Sequence, residues 1–227
     1  MALFTIADLH LSLSGDKSME VFRGWENYIE RIEKNWTAAV SDADTVVMPG
    51  DISWEMKISD AVADFEFINA LPGRKLIIKG NHDLWWTSLK KMNEFISANG
   101  FDTVSFINNS AVRIDDISVC GTRGWLIEES GTDSKLINRE ALRLRASLEA
   151  GAKLGGELIA FLHYPPVTEQ QQCDELISVL KEFGVKKVYY GHIHGNSAIR
   201  AVNGEIDGIN YRLVSADQLG FTPFLVR

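Results

Sequence analysis

Histidine and carboxylate side chains cluster at the ends of predicted strands in this sequence. All five histidines lie at such ends, beside glycine, proline or a carboxylate; they are His10, His82, His163, His192 and His194. Asp8, Asp51 and Asn81 occupy equivalent positions. Imidazole, carboxylate and amide groups together are typical metal ligands. Apart from His82, seven candidate ligands are present, enough for two metal ions if one carboxylate bridges them.

The ligand types also limit the choice of metal. No thiolate is among them, and a mixed nitrogen and oxygen set favours Mn, Fe, Zn or Ni. Mg and Ca prefer shells made of oxygen alone. We therefore expect two divalent transition metal ions as cofactors, with their identity set by supply.

The predicted strands must bring these ligands together. Apolar runs predict five strands, at residues 3–7, 45–48, 75–78, 157–162 and 187–190. Predicted helices alternate with the first three strands, at about 25–40, 59–70 and 87–98, and we expect Ser59 to cap the second helix and Asn99-Gly100 to end the third. This alternation predicts parallel strands with crossover helices, in which ligands bind at the carboxyl ends of the strands.

The second half of the chain has a different pattern. Three short segments predict antiparallel strands joined by Asn-Asn and Asp-Asp turns; they are 103–107, 111–114 and 117–121. A polar stretch at 128–134 precedes a long predicted helix, and residues 173–183 predict another. The alternation around Asn203-Gly204 and Asp207-Gly208 is typical of hairpins. Without a repeat or linker, residues 1–227 are expected to form a single domain of mixed α/β class.

The composition narrows the classes of function. The chain has 227 residues, 45% of them hydrophobic, which is enough for a large core. Its net charge of −8 argues against a surface that binds nucleic acid backbone broadly. Cys120 and Cys173 are isolated in sequence, so neither a disulfide framework nor a cysteine zinc site is expected, and a reducing cytoplasm fits best. No apolar run is long enough for a signal peptide or a membrane span.

Five blocks of this sequence resemble the calcineurin-like metallophosphoesterase family. In chain order they are Asp8-Leu9-His10, Gly50-Asp51, Gly80-Asn81-His82-Asp83, His163 and Gly191-His192-Ile193-His194. The resemblance covers most of the chain, and the joint match is far more specific than any single block. It implies two β-sheets packed face to face with helices outside, a four-layer αββα sandwich.

The resemblance also implies roles for the residues of these blocks. One metal would be held by Asp8, His10, Asp51 and His194, and the other by Asp51, Asn81, His163 and His192. Asp51 would bridge them, and a hydroxide between the two metals would attack phosphorus. His82 would remain off the metals and protonate the leaving oxygen, which suits an imidazole because its pKa lies near ~6.5.

Three other features have two interpretations each. Arg123 could reach a substrate phosphate, or it could be a solvated loop arginine. Asp83 could orient His82 or cap the following segment. Trp54, Trp85 and Trp86 could stack on a base or pack around the strand ends. Trp54 stands where many members of the family have a small or acidic residue, which weakens any substrate assigned by analogy.

These observations predict a cytoplasmic, metal-dependent phosphoesterase. We expect it to hydrolyse phosphomonoesters or phosphodiesters of small soluble substrates such as nucleotides, because the acidic balance argues against long nucleic acid. A phosphoprotein phosphatase is the alternative within the enzyme class. A noncatalytic metal-binding scaffold is the alternative outside it, although scaffolds of this kind usually lose ligands and here every position is filled.

Overall fold

The strands of the computed structural model, which describes residues 1–15, 17–125 and 134–227, form two sheets. In chain order they are β1 (Leu3–Thr5), β2 (Thr45–Pro49), β3 (Arg74–Ile78), β4 (Val104–Phe106), β5 (Ala111–Ile114), β6 (Ile117–Thr122), β7 (Glu157–Leu162), β8 (Lys187–Tyr190), β9 (Gly204–Ile206), β10 (Ile209–Leu213) and β11 (Phe224–Leu225). The first sheet has the order β11-β1-β2-β3-β4, and the second has the order β5-β6-β7-β8-β10-β9.

Helices cover the outer face of each sheet. Among the described residues they are α1 (Tyr28–Ala39), α2 (Val62–Ala70), α3 (Leu89–Asn99), α4 (Ser134–Leu154) and α5 (Asp174–Glu182). Side chains of α1, α2 and α3 share a core with the first sheet. Side chains of α4 and α5 share another core with the second sheet. A third core contains residues of both sheets, among them Val47 and Phe161. The predicted four-layer sandwich is therefore confirmed.

The alternation of side chains along the inner strands explains these layers. In β2, Val46 and Met48 belong to the core beneath the helices, whereas Val47 faces the other sheet. In β7, Leu162 packs under helices and Phe161 packs between the sheets. Successive side chains of a strand point to opposite faces, so an almost wholly apolar strand must be buried on both.

The prediction of an antiparallel second half is wrong for most of its strands. β4 pairs in parallel with β3 and completes the first sheet. In the second sheet β6, β7, β8 and β10 are mutually parallel. The reason is that α4 connects β6 to β7 and α5 connects β7 to β8, and each acts as a crossover helix. Antiparallel pairing is restricted to β5 with β6, β9 with β10 and β1 with β11.

Helix and turn boundaries differ from the prediction at several points. Ser59 does not cap α2, because it lies in a separate 3₁₀ turn, Ile58–Asp60, and α2 begins at Val62. α3 begins at Leu89 with Ser88 as its cap, and Gly100 ends it in the left-handed conformation as expected. The predicted hairpin at Asp207-Gly208 joins β9 to β10. Most of the predicted polar stretch at 128–134 lies outside the described residues.

Candidate metal centre

The ends of five parallel strands meet at one edge of the two sheets. Backbone hydrogen bonds connect the segments that follow them: the amide of Asp8 donates to the carbonyl of Gly50 at 2.9 Å, and the amide of His10 donates to the carbonyl of Asp51 at 3.0 Å. In the second sheet the amide of Gly191 donates to the carbonyl of His163 at 3.1 Å. The side chains that the sequence places after separate strands are therefore adjacent in space.

Several of the candidate ligands have left-handed backbone conformations. The φ angles of Asp8, His10, Asp51 and His192 are 61°, 48°, 53° and 73°. A residue other than glycine in this region costs about 1–2 kcal/mol, and such strain is concentrated at functional sites. Residues two apart on an extended strand share one face, but Asp8 and His10 converge through this left-handed turn instead.

One group of ligand atoms comes from the segment after β1 and from the segment after β8. It contains Asp8, His10 and His194, whose ligand atoms all lie within 4.8 Å of one another. Nε2 of His10 is 3.2 Å from Nε2 of His194. Nε2 of His194 is 3.6 Å from Oδ1 of Asp8. These atoms surround a common point.

A second group lies beside the first. It contains Asp51, His163 and His192. Asn81 joins it, because its Oδ1 is 2.6 Å from Nε2 of His163 and 2.9 Å from Nδ1 of His192. Oδ2 of Asp51 is 3.5 Å from Nε2 of His163 and 3.7 Å from Nε2 of His10 in the first group. Asp51 therefore lies between the two groups.

The spacing and chemistry of these donors fit metal ions. Metal–nitrogen bonds of about 2.0–2.1 Å place two nitrogens of one shell roughly 3 Å apart, as His10 and His194 are. Nδ1 of His163 is 3.0 Å from the carbonyl of Pro49, and because a carbonyl only accepts, Nδ1 is the donor. The unprotonated Nε2 then faces the oxygen of Asn81. Burial lowers the pKa of His163 to about 3, so the ring is neutral and these two acceptors repel unless a cation lies between them.

The carboxylates of the site also repel one another. Burial raises the pKa of Asp51 well above its ordinary value, and the charges of Asp83 and Asp8 raise it further. Burial opposes the charged form of His194, but Asp8 and Asp217 raise its pKa to about 10. Without a metal the protein therefore offsets the negative charge of the site with a proton on His194. Divalent cations would replace that proton and remove the repulsion between carboxylates.

Two residues that sequence reasoning missed hold the ligands in place. Asp217 Oδ1 is 3.1 Å from Nδ1 of His194, which leaves Nε2 facing the first group. The hydroxyl of Ser215 donates to Oδ2 of Asp8 at 2.7 Å. Both follow β10, a strand predicted only as part of closing hairpins. Their position just after an alternating strand was the available signal, since the histidines were identified by their position at strand ends as well.

Asp83 has a structural role outside the two interpretations given for it. Its buried carboxylate accepts hydrogen bonds from the amides of Asp51, Ile52 and Gly80 at 2.9, 2.8 and 2.7 Å. It also accepts one from the indole of Trp85 at 3.1 Å. The carboxylate therefore binds the segment after β2 to the segment after β3. It supports the position of Asp51, and it does not cap the following helix, α3, whose N-cap is Ser88.

Two glycines permit the close approach of these segments. A Cβ atom on Gly80 would lie 2.1 Å from Oδ1 and 2.2 Å from the backbone nitrogen of Asp51. A Cβ atom on Gly191 would lie 2.5 Å from Oδ2 of Asp8. All three distances are far below van der Waals contact. Any larger residue would displace a carboxylate of the site.

His82 lies beside the metal groups without belonging to either of them. Its amide donates to Oδ1 of Asp51 at 2.8 Å. Its ring centroid is 4.5 Å from that of Trp54 and 5.7 Å from that of His10. The side chain is therefore close to the site, and it lines the cavity described next.

A cavity of about 860 Å³, here called the aromatic pocket, opens beside the first group. His10, His82 and His194 line one part of it. The remaining lining combines apolar and aromatic side chains with glycines and polar groups: Met19, Phe22, Arg23, Gly24, Trp25, Trp54, Gly195, Asn196, Asp217 and Gln218. Trp54 stacks on His10 with centroids 4.8 Å apart. The pocket thus combines the candidate proton donor with stacking surfaces.

The other tryptophans and Arg123 have different surroundings. Trp85 is buried and packs against Phe65 with centroids 5.1 Å apart, which favours the packing interpretation. Trp86 packs similarly on Phe106. Arg123 lies 4.8 Å from the ring of Trp125 and lines a separate cavity. Among the described residues, Cys120 and Cys173 are both free and buried, and no helix there is long and apolar enough to cross a membrane.

Comparison with known proteins points to one family. The family model described as calcineurin-like phosphoesterase matches residues 1–196. That range includes all seven candidate ligands and His82, and it ends before Ser215 and Asp217. No curated protein matches the chain in sequence.

Several solved structures share the fold at low sequence identity. A protein of unknown function from Aquifex aeolicus is 14% identical, with a TM-score of 0.55 over 99% of this chain and 95% of that chain. A phosphopantetheinyl hydrolase from Mycobacterium tuberculosis is 13% identical, with a TM-score of 0.54 over 94% and 88%. The anchor in the inner membrane complex of Plasmodium is 11% identical, with a TM-score of 0.58 over 96% and 72%. These likenesses concern the fold alone.

Proposed function

The chain belongs to the calcineurin-like phosphoesterase family, and we propose that it hydrolyses small phosphomonoesters or phosphodiesters at the joined strand ends. Members of this family use divalent metal ions to hydrolyse phosphoesters. The observation that carries the proposal is the pair of adjacent ligand groups with Asp51 between them. Such a pair suits two metal ions that share one carboxylate.

We assign the ligands from these contacts. Asp8, His10, Asp51 and His194 would hold one ion; Asp51, Asn81, His163 and His192 would hold the other. When bound, two such ions supply a nucleophile from water at neutral pH and neutralise charge on the phosphate oxygens. Asp217 and the carbonyl of Pro49 orient the imidazoles of His194 and His163, since a second partner on the ring determines which nitrogen faces the metal.

His82 is the proposed general acid. It is outside both ligand groups, its amide is anchored to Asp51, and its ring lies against the rings of Trp54 and His10 beside the site. An imidazole with a pKa near ~6.5 can donate a proton to a leaving oxygen at neutral pH. A leaving group protonated by His82 would lie in the aromatic pocket, because that is the cavity the ring lines.

The aromatic pocket favours nucleotides among the small substrates. Its volume of about 860 Å³ is in the range typical of small-molecule sites. Phe22, Trp25 and Trp54 offer ring surfaces on which a planar base could stack. Arg23 could pair with an additional anionic group of the substrate. A phosphopantetheinyl substrate, suggested by one of the similar structures, belongs in the same screen.

We also propose that the chain forms a single domain and that the protein is located in the cytoplasm. The pairing of β1 with β11 supports one domain over residues 1–227, because it joins the first and last strands of the chain. The free, buried state of Cys120 and Cys173 supports a reducing cytoplasm.

A substrate screen tests the proposed function. The protein would be loaded in turn with Mn, Fe, Zn or Ni and assayed on p-nitrophenyl phosphate, bis(p-nitrophenyl) phosphate, nucleotides, phosphopantetheine esters and phosphopeptides. We expect turnover of small esters. Turnover of phosphopeptides alone would favour the phosphoprotein phosphatase. Metal binding without turnover of any ester would favour a scaffold, a role consistent with the anchor protein of similar fold.

The His82→Ala variant tests the division of roles. We expect it to retain both metals and to lose turnover, most severely for esters with poor leaving groups, which need protonation. A lost metal in this variant would show that His82 is a ligand instead. Asp51→Asn is the contrasting variant, and we expect it to lose both metal binding and activity.

A further inference from the structure

A second cavity, of about 350 Å³, lies where three loops and one helix meet. It is here called the cationic pocket and is lined by Lys79, Asn108, Asn109, Thr122, Arg123 and Arg143, together with a few apolar and neutral neighbours. Lys79 follows β3, the two asparagines connect β4 to β5, and Arg123 follows β6. Arg143 extends from α4. The cavity shares no lining residue with the aromatic pocket.

Positive charge in this cavity exceeds negative charge. Its three cations are Lys79, Arg123 and Arg143, and the carboxylate that contacts two of them is that of the buried Glu140. Nη1 of Arg143 is 2.5 Å and Nη2 of Arg123 is 3.6 Å from Oε1 of Glu140. Glu140 thus neutralises one of two arginines. Lys79 has no ion pair with any described residue.

Among the described residues, no other acid forms an ion pair with these cations. The carboxylate of Asp83, the next acid along the chain from Lys79, acts on Lys79 through its charge but is hydrogen-bonded to the amides of Asp51, Ile52 and Gly80. Nε of Arg123 is buried and has no hydrogen-bond acceptor among the described residues. One face of the Arg123 guanidinium lies over the ring of Trp125, 4.8 Å from its centroid, which holds the group in place. Counting the described residues alone, three cations and the carboxylate of Glu140 leave a net charge of about +2 at this cavity.

We propose that the cationic pocket binds a phosphate group. Guanidinium and ammonium groups donate hydrogen bonds to phosphate oxygens, and the amides of Asn108 and Asn109 and the hydroxyl of Thr122 add neutral donors. The cavity volume is well above that of a bare phosphate, so the ligand is a phosphorylated small molecule. It is either a substrate with a second phosphate or a separate metabolite.

The position of the pocket connects it to the metal centre through the backbone. Lys79 directly precedes Gly80, which contacts Asp51. The carbonyl of Arg123 accepts a hydrogen bond from the amide of Tyr164 at 2.8 Å, next to His163. A phosphate bound here would lie on the side of the second ligand group. The cavity and its charges are present whether or not the metal centre hydrolyses phosphoesters. Phosphate binding here is therefore independent of the proposed function.

Titration with inorganic phosphate tests the proposal. Calorimetry would be used to titrate the wild type and three variants, Lys79→Met, Arg143→Met and Asp51→Asn. Each protein would first be incubated with Mn and its metal content measured. Lys91→Met is the matched control, because Lys91 is an exposed lysine on α3 away from the cavity. We expect phosphate to bind both at the metals and in the pocket of the wild type and the control. Lys79→Met and Arg143→Met should lose the pocket site while retaining their metals.

The Asp51→Asn variant separates this proposal from the proposed function, since it should keep the pocket site after losing the metal site. Unchanged phosphate binding in both Lys79→Met and Arg143→Met would overturn the inference. A wild type that binds phosphate only at the metals would overturn it as well.

A kinetic comparison identifies the source of the phosphate. If it belongs to the substrate, Lys79→Met should raise KM at least tenfold for adenosine 3′,5′-bisphosphate relative to adenosine monophosphate. An equal effect on both substrates, with the pocket site lost, identifies a separate phosphorylated ligand.

Discussion

The carboxylate of Asp217 lies 3.1 Å from Nδ1 of His194, and its other oxygen accepts a hydrogen bond from the amide of Gly195 at 2.8 Å. The carboxylate is thus held by the backbone and in turn holds the imidazole. This contact determines that His194 presents Nε2 to the site. Asp217 is therefore a positioning residue for the metal centre.

Asp217→Asn should weaken Mn binding by about 10- to 100-fold, because the ring loses the partner that orients it and increases its basicity. Calorimetric titration with Mn measures this effect. Asp207→Asn is the control, since Asp207 is an exposed hairpin residue paired with Lys181. Equal Mn affinities in the two variants would show that Asp217 does not position His194.

Asp83→Asn should destabilise the protein by at least about 3 kcal/mol. An amide has one acceptor oxygen where the carboxylate has two, so some of the donors from Asp51, Ile52, Gly80 and Trp85 would be left buried without a partner. Urea unfolding provides the measurement. Asp102→Asn, at an exposed position, should change stability little. Similar stability of both variants would contradict the role of Asp83 as a connection between the two loops.

Gly80→Ala should weaken metal binding through a displacement of Asp51. The added methyl would overlap the backbone nitrogen of Asp51, which Asp83 holds in place and which cannot rotate away. Gly184→Ala is a useful comparison, because Gly184 has a φ of 67° with nothing within 4 Å of its Cβ position. The Gly184→Ala variant should lose only about 1–2 kcal/mol of stability, which is the cost of the left-handed conformation for a residue with a Cβ atom. If Gly80→Ala bound Mn as tightly as Gly184→Ala, close approach at Gly80 would be unimportant.

Lys75 should make the stability depend on pH above neutrality. Its side chain is fully buried and donates to the carbonyl of Leu71, and burial lowers its pKa from 10.5 to about 8. Between these values the unfolded chain binds more protons than the folded one, so stability rises with pH. Relative to Lys75→Met, the wild type should gain about 3 kcal/mol from pH 7.5 to 10.5, since each pKa unit corresponds to about 1.4 kcal/mol. Parallel unfolding curves for the two proteins at each pH test this, and a constant difference would contradict it.

Metal binding should stabilise the folded chain, because the ligand set exists only when the strand ends are joined. At a free Mn concentration of about 100 times Kd, the expected gain is about 2.7 kcal/mol per site. Thermal unfolding with Mn, then with excess chelator, measures the gain and its reversal. Asp51→Asn should show a much smaller shift. An equal shift in that variant would place the Mn elsewhere.

Sequence and structure agree best where the information is local. The nearly continuous apolar runs of β2 and β7 predict burial on both faces, and the glycine, carboxylate and histidine residues that follow the strands predict reactive groups at their ends. The direction of pairing was less predictable. Short segments such as β4 carry no signal for parallel or antiparallel pairing, because partner choice depends on where the connecting helices pack.

The sequence by itself determined the chemistry of the site: which side chains end the strands, that no thiolate is among them, and that they number enough for two metals. Only the tertiary structure decided how those side chains are held. Ser215 reaches Asp8 across 207 positions, and Asp217 reaches His194 across 23. Such partners depend on contacts between distant segments, and residue types alone do not encode those contacts. The left-handed turns at Asp8, His10 and Asp51 likewise arise because hydrogen bonds between neighbouring loops outweigh the local conformational cost.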